Sequence, residues 1–404
     1  MAHESFNYID GKWKASASGR TFEDLNPANR TDVLGLFPRS DARDVDEAVK
    51  AARAHFARWR QVPAPHRAEI MFRAAELMVK RKEELAALMT REMGKVLKES
   101  RGDVQEGIDM TYFIAGEGRR LYGHTTPSEL PDKFAMSVRV PIGVVAAITP
   151  WNFPLAIPTW KLVPALVAGN TVVFKPAEDT PLMAQRFVEI LLEAGVPEGV
   201  LNLAQGIGEE AGAALVRHPD VNLVSFTGST ETGREVAIGC AERHARVSLE
   251  MGGKNPIIVM DDADLDLALE GAVWGAFGTT GQRCTAASRL IVHRGVLREF
   301  TDRLVERARR LRLGNGMLPT TDVGPLINEA QLERVHGYTE IARQEGASIL
   351  TGGHIYTEGD CAHGFFYAPT IFANVSTDMR IAQEEIFGPC PAIIGINSLQ
   401  EGIE

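Results

Sequence analysis

From Pro141 onward the chain alternates short, nearly wholly apolar runs with stretches of helical spacing, and few folds accept that pattern. The apolar runs lie at 144–148, 171–174, 200–203, 222–226 and 247–249. A strand that is apolar on both sides must be covered on both, which is the condition of a parallel sheet inside helical layers. Helices are expected between the runs, over 157–168, 181–193, 209–217 and 230–241. Right-handed crossovers then give an α/β domain of the doubly wound, Rossmann-like kind.

The first 120 residues read differently. A short strand-and-turn region precedes a helix over 44–59, with Val45, Ala48, Val49, Ala52 and Phe56 at helical spacing. Pro63 and Pro65 break it, and further helices are expected over 67–90 and 104–120. After Asn255-Pro256 a second α/β set begins, with strands at 257–260 and 290–293 and helices at 265–277, 296–311 and 329–345. Further strands are expected near 348–350, 370–372 and 392–394. A chain of 404 residues exceeds what one compact core supports. Two domains are expected, 1–250 and 251–404, with Glu250-Met251-Gly252-Gly253-Lys254 as their joint, a common place for a cleft.

Charge and cysteine usage exclude some functions. The net charge is −10 with no basic block, which argues against a nucleic-acid partner. Cys240, Cys284, Cys361 and Cys390 lie far apart with neither paired nor metal-type spacing, which suits free thiols in a reducing compartment and no metal. Residues 1–16 are polar and lack a secretion signal's apolar core. No run reaches the ~20 apolar residues needed to cross a bilayer. A cytoplasmic protein without a membrane partner is expected.

Several segments carry chemistry. Gly281-Gln282-Arg283-Cys284-Thr285 places a thiol on a glycine-marked loop between a helix and a strand, where a depressed pKa would make it a nucleophile. Pro150-Trp151-Asn152-Phe153-Pro154 follows the 144–148 run, at a strand end where α/β folds place ligands, and Asn152 offers an amide donor for a developing oxyanion. Lys175 and Glu178, three positions apart, can address ribose hydroxyls; a surface ion pair is the bland alternative. Gly228-Ser229-Thr230-Glu231-Thr232-Gly233 opens a helix whose N-terminus suits a diphosphate. Gly206-Ile207-Gly208 imitates a dinucleotide fingerprint, a match that 38 glycines make easy by chance. Glu250, beside an apolar residue and two glycines, is expected to be desolvated enough to act as a general base. Glu384-Glu385-Ile386-Phe387-Gly388-Pro389 pairs acids with an aromatic.

In this order, PWNFP (150–154), KPAE (175–178), FTGST (226–230), LEMGGKNP (249–256), GQRCTAASR (281–289) and EEIFGP (384–389) resemble the aldehyde dehydrogenase superfamily, in its hydrolytic NAD(P)-dependent branch. The resemblance implies a cofactor domain over 1–250, with 124–140 as an oligomerisation arm, and a catalytic domain over 251–404. It implies that Cys284 attacks the aldehyde, that Asn152 and the Cys284 N–H hold the oxyanion, and that Glu250 activates water against the thioester, with Lys175 also in the catalytic set. The cofactor, NAD with NADP possible, would touch Ile148, Trp151, Lys175, Glu178, Gly208, Phe226, Gly228, Ser229, Thr232, Met251, Gly252, Glu385 and Phe387.

Substrate would meet Phe153, Ile157, Trp160, Arg283 and Thr285. Trp160 stands near the place where relatives acting on succinate semialdehyde usually offer an arginine, which weakens a small acidic semialdehyde, although Arg283 could serve an anion; Gly278, where some relatives carry a bulky aromatic, implies a roomier tunnel. Aliphatic, aromatic and oxo-acid semialdehyde substrates stay open. Family members continue well past EEIFGP, so this chain resembles a C-terminally truncated copy; a homodimer or homotetramer is expected if that segment is present. A coenzyme A-acylating enzyme and an NAD-binding copy with little catalysis are the alternatives.

Overall fold

The computed structural model describes residues 3–404. The chain divides into two compact units. The first takes the chain up to Asp24 with Leu34–Ala86 and Arg101–Glu250; the second takes Leu25–Val33, Ala87–Ser100 and Met251–Glu404. One break falls between Glu250 and Met251. The two short early segments lie with the second unit, which a single cut at residue 250 does not anticipate. Long-range pairing accounts for this: Leu97 N–H donates to Gly316 O and Phe365 N–H to Pro27 O, each at 3.0 Å.

In the first unit a seven-stranded sheet runs in the order Arg246–Met251, Leu223–Gly228, Val144–Ile148, Thr171–Lys175, Leu201–Leu203, Asn7–Ile9, Lys12–Lys14. The four strands from Leu223–Gly228 to Leu201–Leu203 are parallel, and the pairs of the Asn7–Ile9 strand are antiparallel. All five residues of Val144–Ile148 and of Thr171–Lys175 are buried, as runs apolar on both faces require. Each fully buried Val or Ile contributes about 1.5–3 kcal/mol.

The second unit carries a five-stranded sheet, Asn255–Val259, Ala287–His293, Ala392–Ile396, Ile371–Ala373, Ser348–Thr351. It is parallel except for its last pair. The helix Leu265–Phe277 buries Leu269, Ala272, Ala276 and Phe277 in a cluster with Leu290, Val292, Phe300 and Leu304.

Several helices differ from expectation. The segment expected as one helix over 67–90 is two, Ala64–Lys80 and Lys82–Met93, parted at Arg81 (φ −104°, ψ 12°). Glu83 and Glu84 in the first turn of the second suit a new N-terminus. The next helix begins earlier than expected, at Leu97, and ends at Glu117. Over 209–217 the chain forms a π-turn, Gly208–Gly212, then a short helix, Ala213–Arg217. In the 124–140 segment only Thr125–Thr126 and Ala135–Met136 pair, antiparallel. Among the described residues no helix is long and apolar enough to cross a membrane.

Candidate active site

In the first unit the chain steps from Val144–Ile148 outward through Thr171–Lys175 to Leu201–Leu203. It then returns to the other side of Val144–Ile148 with Leu223–Gly228. Strand order reverses there, and ligands of α/β sheets bind outside the carboxyl ends at such a point. Register brings three expected cofactor residues into line: Ile148 pairs with Phe226 on one side and with Lys175 on the other. Beyond these ends lie Trp151, half-buried, and Asn152, 3% exposed.

Gly228 and Ser229 open the helix Thr230–Ala241. Ser229 Oγ accepts from Thr232 N–H at 3.1 Å, capping it, and both side chains are exposed. A side chain at Gly228 would collide with the Phe226 ring, so the backbone stays bare at the helix N-terminus. Lys175 Nζ donates to Glu178 Oε2 at 2.8 Å, and Gly208 N–H donates to Glu178 Oε1 at 3.3 Å. Burial alone would raise the Glu178 carboxyl; the charge and hydrogen bond of Lys175, with the Gly208 N–H, hold it below the usual carboxylate range. Lys175 is 3% exposed, so the pair is no surface ion pair. An ionised acid with an ammonium, and a bare helix N-terminus at the switch point, fit the ribose hydroxyls and diphosphate of a dinucleotide.

The helix Ala156–Val167 follows Asn152. Leu155 at its N-cap makes no side-chain cap, and the carboxylate of buried Asp103 accepts the Ala156 N–H at 2.8 Å instead. Ile157 is buried, whereas Phe153 and Trp160 are half-buried. Lys161, absent from the expected set, is buried and donates to Ser225 Oγ at 3.1 Å. Burial pushes its ammonium down to about 8, against the opposing charge of Glu250. It is the sole charged side chain in AIPTWKLVPALV, a signal legible in the sequence. Glu250 is exposed, because the Arg246–Met251 strand is largely uncovered; the expected desolvated carboxylate is not found.

In the second unit Cys284 lies between the helix Leu265–Phe277 and the strand Ala287–His293, half-buried, while the other three cysteines are buried. Burial pushes all three of those thiols up, Cys390 to about 12. The loop into Cys284 is left-handed at Thr279, Thr280 and Gly281 (φ 52°, 58° and 69°). Buried Gln282 pins it: Oε1 accepts Ile327 N–H at 3.0 Å and Nε2 donates to Thr279 O at 3.3 Å. Asn255 Nδ2 donates to Cys284 O at 2.5 Å and Ala286 O at 3.2 Å, tying the loop to the neighbouring strand. Thr285 is exposed.

Arg283 and Gly278 differ from expectation. The Arg283 guanidinium stacks on Trp274, 4.5 Å from the ring centroid, and Nη2 donates to Trp274 O at 2.6 Å and Gly275 O at 3.1 Å. A group so engaged is a poor anion receptor. A side chain on Gly278 would press on that same pair, its Cβ 2.9 Å from Trp274 Cε3 and 3.1 Å from Arg283 Nη2. The room expected for substrate is taken by these two residues.

Glu385 sits against Gly252 and Gly253. A side chain at Gly252 would collide with its carboxylate, and Gly253 N–H donates to Oε1 at 3.4 Å. Burial pushes the Glu385 carboxyl up, moderated by the Gly253 N–H, Arg334 and Lys254. Phe387, half-buried, has a left-handed backbone (φ 60°), and its carbonyl accepts from Gln331 Nε2 at 2.8 Å. Met251 is 39% exposed.

Comparison with known proteins matches residues 13–404 to the model of the aldehyde dehydrogenase family. The chain is 44% identical to the alpha-ketoglutaric semialdehyde dehydrogenase of Bacillus subtilis, over 98% of this chain and 81% of that relative. It is 44% identical to the 2,5-dioxopentanoate dehydrogenase of Saccharolobus solfataricus, over 99% of this chain and 83% of that relative. A crystal structure of betaine aldehyde dehydrogenase from Staphylococcus aureus in complex with NAD+ superposes with a TM-score of 0.97 at 38% identity, covering 99% of this chain and 80% of that one. The expectation of a truncated copy is not established by matches that take in nearly all of this chain.

Proposed function

This chain belongs to the aldehyde dehydrogenase family and oxidises aldehydes with NAD(P)+ as acceptor; on that premise we propose Cys284 as its nucleophile and 2,5-dioxopentanoate, that is α-ketoglutaric semialdehyde, as its substrate. The substrate reading rests on the 44% identity, over 98% and 99% of this chain, to two enzymes named for that compound. The nucleophile reading rests on Cys284 being the one thiol of four that is not buried.

In the proposed reaction the Cys284 thiol gives its proton to solvent water and its sulfur bonds to the aldehyde carbon. The carbonyl π pair moves to oxygen, where the Asn152 amide and the Cys284 N–H stabilise it. When bound, the nicotinamide would supply the hydride acceptor; the oxygen pair re-forms the carbonyl as the carbon gives up that hydride, which leaves an acyl group on the Cys284 sulfur as a thioester. Glu250 then takes a proton from water, which adds to the Cys284 thioester; the C–S bond breaks and the acid leaves. Lys175 and Glu178 are assigned to the adenosine ribose. Gly228, Ser229 and Thr232 are assigned to the diphosphate, Glu385 to the nicotinamide ribose and Phe387 to its ring. Ile148, Trp151, Gly208, Phe226, Met251 and Gly252 complete the proposed lining, while Phe153, Ile157, Trp160 and Thr285 are assigned to substrate. Glu250 also weighs against the coenzyme A-acylating reading, which has no need of a base there.

The four free thiols support a reducing, cytoplasmic setting. The exposed apolar residues of 124–140 support a homo-oligomer. The proposal is tested by NADH or NADPH formation with 2,5-dioxopentanoate, betaine aldehyde, propanal and benzaldehyde, with NAD+ and NADP+ respectively, for wild type and Cys284→Ala. The expected result is a kcat/KM for 2,5-dioxopentanoate at least ~10-fold above the others, with turnover abolished in the variant. Preference for another aldehyde overturns the substrate, and a competent variant overturns the nucleophile.

A further inference from the structure

The turn that leads into Cys284 is unusual in its backbone. Thr279, Thr280 and Gly281 all have positive φ, and two of the three are β-branched. A non-glycine residue held in that region costs on the order of 1–3 kcal/mol, so such a turn persists only where its surroundings hold it. The holders are identifiable. Thr280 Oγ1 donates to Gly324 O at 3.0 Å, and Gln282 N–H donates to Thr279 O at 3.0 Å. A side chain on Gly281 would collide with Gly388 O, so no other residue fits there.

One further anchor is an acid that the reaction does not use. Glu99, in the opening turn of the helix Leu97–Glu117, accepts the Thr279 N–H on Oε1 at 2.8 Å, across 180 positions of sequence. Its carboxyl is half-buried; burial pushes it up, while the Thr279 N–H, Lys95 and Arg283 pull the other way. Arg283 adjoins the thiol, so one carboxyl grips the first residue of the turn and faces the cation beside Cys284.

We propose that Glu99 is a positioning residue for Cys284, holding the left-handed turn Thr279–Gly281 from which the thiol-bearing loop departs. The inference rests on the reading of Cys284 as nucleophile. Glu99 acts through the Thr279 N–H, by fixing where the loop begins. A misplacement of about 1 Å at a reacting atom can cost ~100-fold in rate.

The test uses the whole chain carrying Glu99→Ala, Glu99→Gln or Glu99→Asp. Four quantities are read: alkylation of Cys284 by iodoacetamide, kcat and KM, NAD+ affinity, and the thermal midpoint. Glu99→Ala is expected to lower alkylation and kcat together by about 10- to 100-fold with NAD+ affinity unchanged. Glu99→Gln keeps an oxygen acceptor for the Thr279 N–H and restores most of both. Wild-type alkylation in a folded Glu99→Ala overturns the proposal, as does a Glu99→Gln no better than alanine, or a loss confined to KM. If Glu99→Ala does not fold, Glu99→Asp, which keeps the charge but withdraws the acceptor, must show the loss; wild-type rates there overturn it. Cys284→Ala run in parallel separates two failures: turnover there removes Cys284 from the chemistry, whereas unperturbed alkylation in Glu99→Ala removes Glu99 alone.

Discussion

Lys161 carries a pH-dependent cost that a single side chain makes measurable. Its ammonium is pushed from the ordinary 10.5 to about 8 by burial, so the folded chain releases that proton before the unfolded chain does. Between those two values the unfolded state binds more protons, and stability rises with pH as the buried charge is discharged. Below about pH 8 the full penalty stands, of order 3 kcal/mol at most. Lys161→Met should therefore be more stable than wild type near neutrality, and its advantage should shrink as pH climbs through that window. Lys254 is pushed down to about 8 as well, so the difference between variant and wild type, not the wild-type slope, isolates Lys161. Urea unfolding across the window decides it, and a constant difference at every pH would refute the assignment.

Among the elements, the helix Ala156–Val167 depends on a residue outside itself. Leu155 cannot cap it, and the Asp103 carboxylate takes the Ala156 N–H. Asp103→Ala leaves that donor unpaired in a buried place, and a hydrogen bond to a charged group is worth about 1.5–3 kcal/mol. A fall in unfolding free energy of that size is expected, and one below half a kilocalorie would show the cap to be idle. The same helix shows what a sequence can and cannot disclose. Its span follows from an almost unbroken apolar run, because a helix covered on nearly every side must be apolar nearly all round. Its cap does not, since Asp103 is 53 positions away. That Lys175 and Glu178 meet at a strand end was legible, because they stand three positions apart just where the Thr171–Lys175 run closes. Exposure of Glu250 was not, because it depends on which neighbours cover the Arg246–Met251 strand. The engagement of Arg283 by Trp274 was equally hidden, although they are only nine positions apart.

For the molecule as a whole, the proposed homo-oligomer turns on the 124–140 segment. Phe134, Val138 and Val140 are 74%, 65% and 66% exposed, and they crowd one stretch of chain whose hairpin pairs only Thr125–Thr126 with Ala135–Met136. Apolar side chains so concentrated, beside strand edges left without partners, are what the proposed homo-oligomer rests on. The wild-type chain is thus expected at a multiple of 44.1 kDa by light scattering. Replacing Phe134, Val138 and Val140 together by glutamate should reduce it to a single copy without lowering its thermal midpoint, because none of the three contributes to a core. Since none is assigned to cofactor or substrate, NADH formation per chain measured on the same samples tells whether assembly matters to the chemistry. A wild-type chain that stays single at every concentration, or a triple variant that still associates, would locate the contact elsewhere or remove it.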